Sequence, residues 1–225
     1  MPTGSARHRD RGASSGIYNR GTLRIYDIGV LGVTNTLIWR CPTRKLVDHY
    51  RSHAGESHLD IGPGTGYFLE RIDSASITLL DLNSASLAAA EARIGSGKKV
   101  EQIQQSFFAP LDDERRFDSI GLNFLLHCIP GHAKWDRLAE LRRHLRPGGT
   151  LFGSTVLPSP ATANPAARVL NRTYNRVGVF GNAEDTMADL DTALDGMTDV
   201  RTRQVGQVAL FSARRPEQPH SRRGS

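Results

Sequence analysis

The sequence predicts an α/β protein built on a mostly parallel sheet of seven strands, and three observations carry that prediction. Short apolar runs alternate with helix-length segments between residues 57 and 157. A glycine-rich turn, with Gly62, Gly64 and Gly66, follows the first of those runs. Two more strand-like runs meet around Gly206 with the proportions of a closing antiparallel hairpin. Strands alternating with helices imply parallel pairing, and ligands of such sheets bind at the carboxyl ends of the strands.

The elements follow in chain order. Residues 1–16 are rich in Gly, Ser and Arg and read as a disordered basic tail. Residues 17–55 form an apolar and aromatic preamble with Tyr26, Trp39 and Tyr50, expected to fold as a helical cap. Pro42 opens a helix in PTRKLVDHYRSH, since proline at the first helical position forfeits no internal hydrogen bond. The body, residues 56–214, starts with a strand at Ser57–Ile61, a helix at about Tyr67–Asp73 and a strand at Ile77–Leu82. Asn83 or Ser84 caps a helix over Ala85–Ile94, which Gly95 stops. Lys99–Gln104 and Phe117–Asn123 are the third and fourth strands.

Trp135, Leu138, Leu141 and Leu145 recur at helical spacing, and Arg146-Pro147-Gly148-Gly149 ends that helix. Thr150–Leu157 is the fifth strand. Ala166–Val177 and Thr186–Leu194 read as helices, and Val200–Gln204 with Gln207–Ala213 as the hairpin. Residues 215–225 read as a second disordered tail.

The 225 residues suit one domain with a full core, and 38% apolar residues suit a soluble one. The net charge of +6 is unevenly placed. Residues 1–24 carry +4 and residues 214–225 carry +3, which leaves −1 for everything between. The basicity belongs to the ends, which weakens any inference of a nucleic-acid-binding body. Cys41 and Cys128 lack zinc-ligand spacing, so no metal is expected and a reducing compartment suits them. The N-terminal residues lack the apolar segment of a secretory signal, and Ile28–Trp39 is interrupted by Gly32, Thr34, Asn35 and Thr36. A cytoplasmic protein without a membrane partner is the expectation.

Function is legible chiefly in HLDIGPGTGYFLE, His58–Glu70, and in LLDLN, Leu79–Asn83. Asp60 ends one apolar run and Asp81 ends the next, about where a ribose-binding carboxylate belongs in a nucleotide-binding βαβ unit. A dinucleotide fingerprint would require glycine at position 67, which is Tyr67. Asp60 would also repel a phosphate, so a ligand carrying an amino group or a sulfonium suits the loop better. The spacing D-x-G-x-G-x-G resembles the first motif of class I S-adenosylmethionine-dependent methyltransferases, and Asp81 resembles their second. The likeness extends over residues 26–213 and implies their Rossmann-like fold, with an antiparallel last strand.

That resemblance implies a set of roles. Asp60, Gly62, Gly64 and Gly66 would surround the methionine part of the cofactor. Asp81 would accept from the ribose hydroxyls, and Leu82 would pack on the adenine. The residue near the adenine amine falls to Gln105 or Ser106, where the family often has an acid. Asn123 opens the segment resembling the fourth motif, facing the methionine portion and the acceptor. Methyltransferases of exocyclic base nitrogens carry prolines after this position, and Phe124 and Leu125 stand there instead.

His127 is the candidate general base, because an unshifted imidazole titrates near neutrality. The alternative is that His127 packs structurally against the cap, and a strongly acidic acceptor such as an enolic pyrone would need no base. The preamble from Tyr26 to Tyr50 is similar to that of small methyltransferases in polyketide pathways, pyrone O-methyltransferases among them. Tyr26, Trp39 and Arg40 could close over the cofactor or acceptor, or simply pack in the core. The expected reaction is methyl transfer to a small-molecule hydroxyl, phenolic or enolic. The alternative is an RNA or other nucleic-acid methyltransferase gripping through its arginine-rich ends; a homodimer is left open.

Overall fold

The computed structural model describes residues 36–158 and 164–217. Tyr26 and the first basic tail lie outside that range. Helix α1, Thr43–His53, precedes strand β1, Ser57–Ile61. Strand β2, Ser76–Asp81, helix α2, Ser84–Ile94, and strand β3, Lys99–Gln104, follow. Next come β4, Phe117–Asn123, helix α3, Ala133–Glu140, and β5, Leu145–Val156. Helices α4, Pro165–Arg176, and α5, Met187–Ala193, lead to β6, Thr198–Val205, and β7, Val208–Arg214.

The seven strands form one sheet in the order β3-β2-β1-β4-β5-β7-β6. Strands β1 to β5 pair in parallel, and β7 runs antiparallel to both of its neighbours. The chain reverses its strand order between β1 and β4, which opens a crevice at their carboxyl ends. The parallel strands carry apolar faces on both sides. Leu59, Ile61, Ile120, Leu122 and Leu151 pack toward α3 and α5, and Ile77, Leu79 and Phe152 toward α1 and α2. Trp39 is buried with Cys41, Leu46, Phe180 and Leu210, which seats the described part of the cap on the sheet.

Three sequence expectations change. The helix expected over Tyr67–Asp73 is a single 3₁₀ turn, Leu69–Arg71. Its amides bond back to Gly66 and Phe68, and Ile72 is already extended, because few residues separate the glycine turn from β2. Strand β5 starts at Leu145 rather than Thr150: Leu145 pairs with Phe117, and the pairing slips before Thr150 meets Ser119. The Arg146–Gly149 turn therefore bulges within a strand instead of merely ending a helix. Arg215, which the sequence reading places in the second tail, exchanges backbone hydrogen bonds with Gly148 and Gly149.

Candidate cofactor site

A cavity of about 710 Å³ opens at the carboxyl ends of β1, β2 and β3. One wall is Ile61, Gly62, Leu80, Asp81 and Leu82, with Gln105, Ser106, Phe107 and Phe108 beyond β3. The opposite wall comes from Leu125 and Cys128–His132, joined by Asn175 and the loop between α4 and α5. Among the described residues that line it none is arginine or lysine, whereas Asp81, Glu184 and Asp185 are present. Leu82 is 63% exposed and Phe108 47%, so two large apolar groups face the opening rather than the core. Exposed apolar surface of this kind marks a place where a ligand covers it.

Gly62, Asp81, Leu82, Gln105 and Ser106 all line this one cavity. Asp60, Gly64, Gly66, Asn123 and His127 lie outside the lining. The carboxylate of Asp81 accepts the Asn83 amide at 2.8 Å, while the Asn83 side chain caps α2 by accepting the Ala85 amide at 2.9 Å. Burial raises the Asp81 pKa, and the backbone amides of Asn83 and Leu82 oppose that rise. Asp60 is only 3% exposed. Burial, reinforced by the nearby carboxylate of Asp81, holds its pKa well above the usual range.

The glycine turn has definite steric causes. Gly66 has φ of +73°, and a Cβ there would lie 2.8 Å from Ala90 Cα of α2. The turn and the helix therefore touch backbone to backbone, which only glycine permits. Gly62, also at φ +73°, is backed by Leu125 and exposes its backbone to the cavity.

Among the described residues three buried side-chain amide nitrogens have no hydrogen-bond partner: Gln105 Nε2, Asn123 Nδ2 and, away from the cavity lining, Gln207 Nε2. The Ser154 hydroxyl donates to Asn123 Oδ1, which fixes that amide so that its nitrogen faces elsewhere. A buried unsatisfied donor costs about 1–3 kcal/mol, and of these only the nitrogen of Gln105 belongs to a residue that lines the cavity. Phe124, directly after Asn123, holds φ of +55°, a strained conformation for a residue other than glycine.

His127 has the surroundings of the packing alternative. It is 4% exposed, edge-on to Phe180 at 4.5 Å between ring centroids, and its Nδ1 accepts the Val156 amide at 3.4 Å. Burial, with the Lys134 ammonium adding to it, pushes the imidazole down to about 3. The histidine on the cavity wall, among the described residues, is His132, exposed and within 3.9 Å of Glu184 and 3.8 Å of Asp189. Sequence reasoning did not find the second wall. Its loop is held down by Lys134, whose buried Nζ donates to Asp185 at 2.6 Å, to Ile129 O at 2.8 Å and to Gly181 O at 3.3 Å. The signal was faint: the polar residues Asn182 and Asp185 leading α5.

Fold and cavity together define a nucleoside-binding domain of the doubly wound type, in which an acid-lined crevice replaces the usual phosphate cradle. A family described as methyltransferase domain matches residues 59–151. The methyltransferase ctvB of Aspergillus terreus is 34% identical over 92% of this chain and 96% of its own. The demethylluteothin O-methyltransferase of Streptomyces thioluteus is 36% identical over 77% of this chain and 78% of its own. In fold, the chain matches the N-methyltransferase NodS of Bradyrhizobium japonicum, solved with S-adenosylhomocysteine. The TM-score there is 0.56 at 18% identity, covering 78% of this chain and 88% of that one. The chain belongs to the class I S-adenosylmethionine-dependent methyltransferases. S-adenosylmethionine is its cofactor.

Proposed function

We propose that this enzyme methylates a hydroxyl of a small phenolic or enolic metabolite, with the adenosyl part of the cofactor lying along Gly62, Asp81, Leu82, Gln105 and Ser106. The observation that carries this reading is the cavity, bounded, partly apolar and lined by carboxylates with no lysine or arginine among its described residues. A polyanion such as RNA is gripped through Lys and Arg, so the lining favours a small acceptor over nucleic acid. Among the described residues no helix is long and apolar enough to cross a membrane. The free thiols of Cys41 and Cys128 suit a reducing, cytoplasmic setting. The name of the Streptomyces relative supports oxygen as the acceptor atom.

When bound, S-adenosylmethionine supplies a methyl group on a sulfonium; attack by the acceptor oxygen forms a C–O bond, breaks the C–S bond and leaves a neutral thioether. The residues of the chain bind and orient. Asp81 would hold the ribose hydroxyls, and Leu82, Ser106 and Gln105, the last through its unpartnered amide nitrogen, would hold the adenine. Asp60 attracts the methionine ammonium from behind the glycine turn, and Asn123 offers its free amide toward the same portion. The buried, neutral ring of His127 supports a packing role. A phenol or enol acidic enough to ionise near neutrality then reacts as its anion, and its proton leaves to solvent.

The test is incubation of the enzyme with S-adenosylmethionine and pooled phenols and 4-hydroxy-2-pyrones, read by mass spectrometry. The expected product is a methyl ether. Methylation of RNA with none of any phenol or pyrone would overturn the reading.

A further inference from the structure

Helix α1 reaches Asp60 through a buried polar chain. The Tyr50 hydroxyl lies 3.0 Å from His58 Nε2, and the same nitrogen lies 3.4 Å from Asp60 Oδ2. At the far side of the ring, Nδ1 is 2.8 Å from Ser119 Oγ, which accepts the Gly55 amide at 2.8 Å. Tyr50 and His58 are both fully buried. His58 and Asp60 are two residues apart on β1 and therefore share a face of the sheet.

The sheet is shaped to admit this chain. Gly121 stands opposite Asp60 in β4. A Cβ there would come within 3.0 Å of His58 Cε1 and 3.1 Å of the Tyr50 hydroxyl. The missing side chain is thus the space the pair occupies. Phe68 stacks on Tyr50 at 5.4 Å, and Phe152 closes on Tyr50 at 5.0 Å and on His58 at 5.7 Å. Such a pocket would be simplest filled by apolar groups, since each buried polar atom there requires a partner. Apart from Ser119 and the Gly55 amide, the chain ends on Asp60, directly behind the glycine turn.

From this geometry we infer that Tyr50 and His58 are positioning residues for the cofactor: they fix the Asp60 carboxylate behind Gly62–Gly66 and so tie the cap helix to cofactor affinity. The inference rests on the methyltransferase reading above. The His58 Nε2–H is shared between the Tyr50 oxygen and Asp60 Oδ2 and so ties both groups to the one imidazole. Neither residue touches the cofactor itself.

The experiment is a double-mutant cycle on binding of S-adenosylhomocysteine, measured by calorimetry on the full chain. In the wild-type background, Tyr50→Phe should weaken binding about fivefold and His58→Gln about tenfold, the scale of one lost hydrogen bond. In an Asp60→Asn background, each should change binding by less than about twofold, because the residue they act through is gone. Equal losses in both backgrounds would mean a general structural role and would overturn the inference, as would no loss in either. Tyr50→Phe keeps the ring and its stacking, so it carries the test by itself should His58→Gln fail to fold. Wild-type protein that is folded yet binds no S-adenosylhomocysteine is a different result: it removes the methyltransferase reading before any variant is made.

Discussion

Replacing Asp81 by alanine should be the most damaging single change to cofactor affinity. Asp81 lines the cavity at the tip of β2, and one carboxylate oxygen is already engaged by the Asn83 amide at 2.8 Å. The remaining acceptor capacity suits two hydroxyls of a ribose. A hydrogen bond to a charged acceptor contributes about 1.5–3 kcal/mol, and water filling the truncated site returns part of it. The net loss is then about 2–4 kcal/mol, roughly 30- to 1,000-fold in Kd. Asp81→Asn keeps the shape and one acceptor and should fall between. Calorimetry with S-adenosylhomocysteine reads both, and circular dichroism checks the fold, because Asn83 also caps α2. Binding within about threefold of wild type by well-folded Asp81→Ala would refute the assignment.

Four further outcomes are expected. Gly66→Ala puts a methyl 2.8 Å from Ala90 Cα at a φ of +73°; left-handed strain and overpacking together should cost about 2–5 kcal/mol, read as a fall in Tm. Lys134→Met leaves Asp185 buried without its cation and should cost about 3–5 kcal/mol in urea unfolding, with much of it restored in Lys134→Met/Asp185→Leu. The buried imidazoles of His58 and His127 are pushed down to about 3, so their contribution is complete above the unfolded value near 6.5 and is lost as pH falls below it. Each should contribute a slope of about 1.4 kcal/mol per pH unit in that window, and His127→Gln should flatten the acid limb by one such step. Asp60 has the opposite sign, its pKa being raised, so Asp60→Asn should stabilise the cofactor-free protein at alkaline pH.

Much of this fold is written in local sequence, and the exceptions have physical causes. Five parallel strands and the hairpin at Gly206 are legible because apolar runs bounded by turn residues have few other uses. The segment Tyr67–Asp73 reads as a helix by its apolar residues, but the short path from Gly66 to β2 leaves room for one 3₁₀ turn only. Gly62, Asp81, Leu82, Gln105 and Ser106 could be placed at one site because they end consecutive strands of a parallel sheet. The second wall could not be placed. It forms when Lys134 clasps Asp185, a contact between residues 51 apart in sequence. The setting of His127 is long-range too: the strand end before it suggests access, and Phe124 and Phe180 pack against its ring. The partnership of Tyr50 with His58 depends on an empty place at Gly121, which no spacing rule displays.

A crystal structure of the enzyme with S-adenosylhomocysteine would test the central claim most directly. The account predicts both ribose hydroxyls on the Asp81 carboxylate, the adenine between Leu82 and Gln105, and the amino-acid end over Gly62. An adenosine lodged elsewhere, with Asp81 facing solvent, would contradict it.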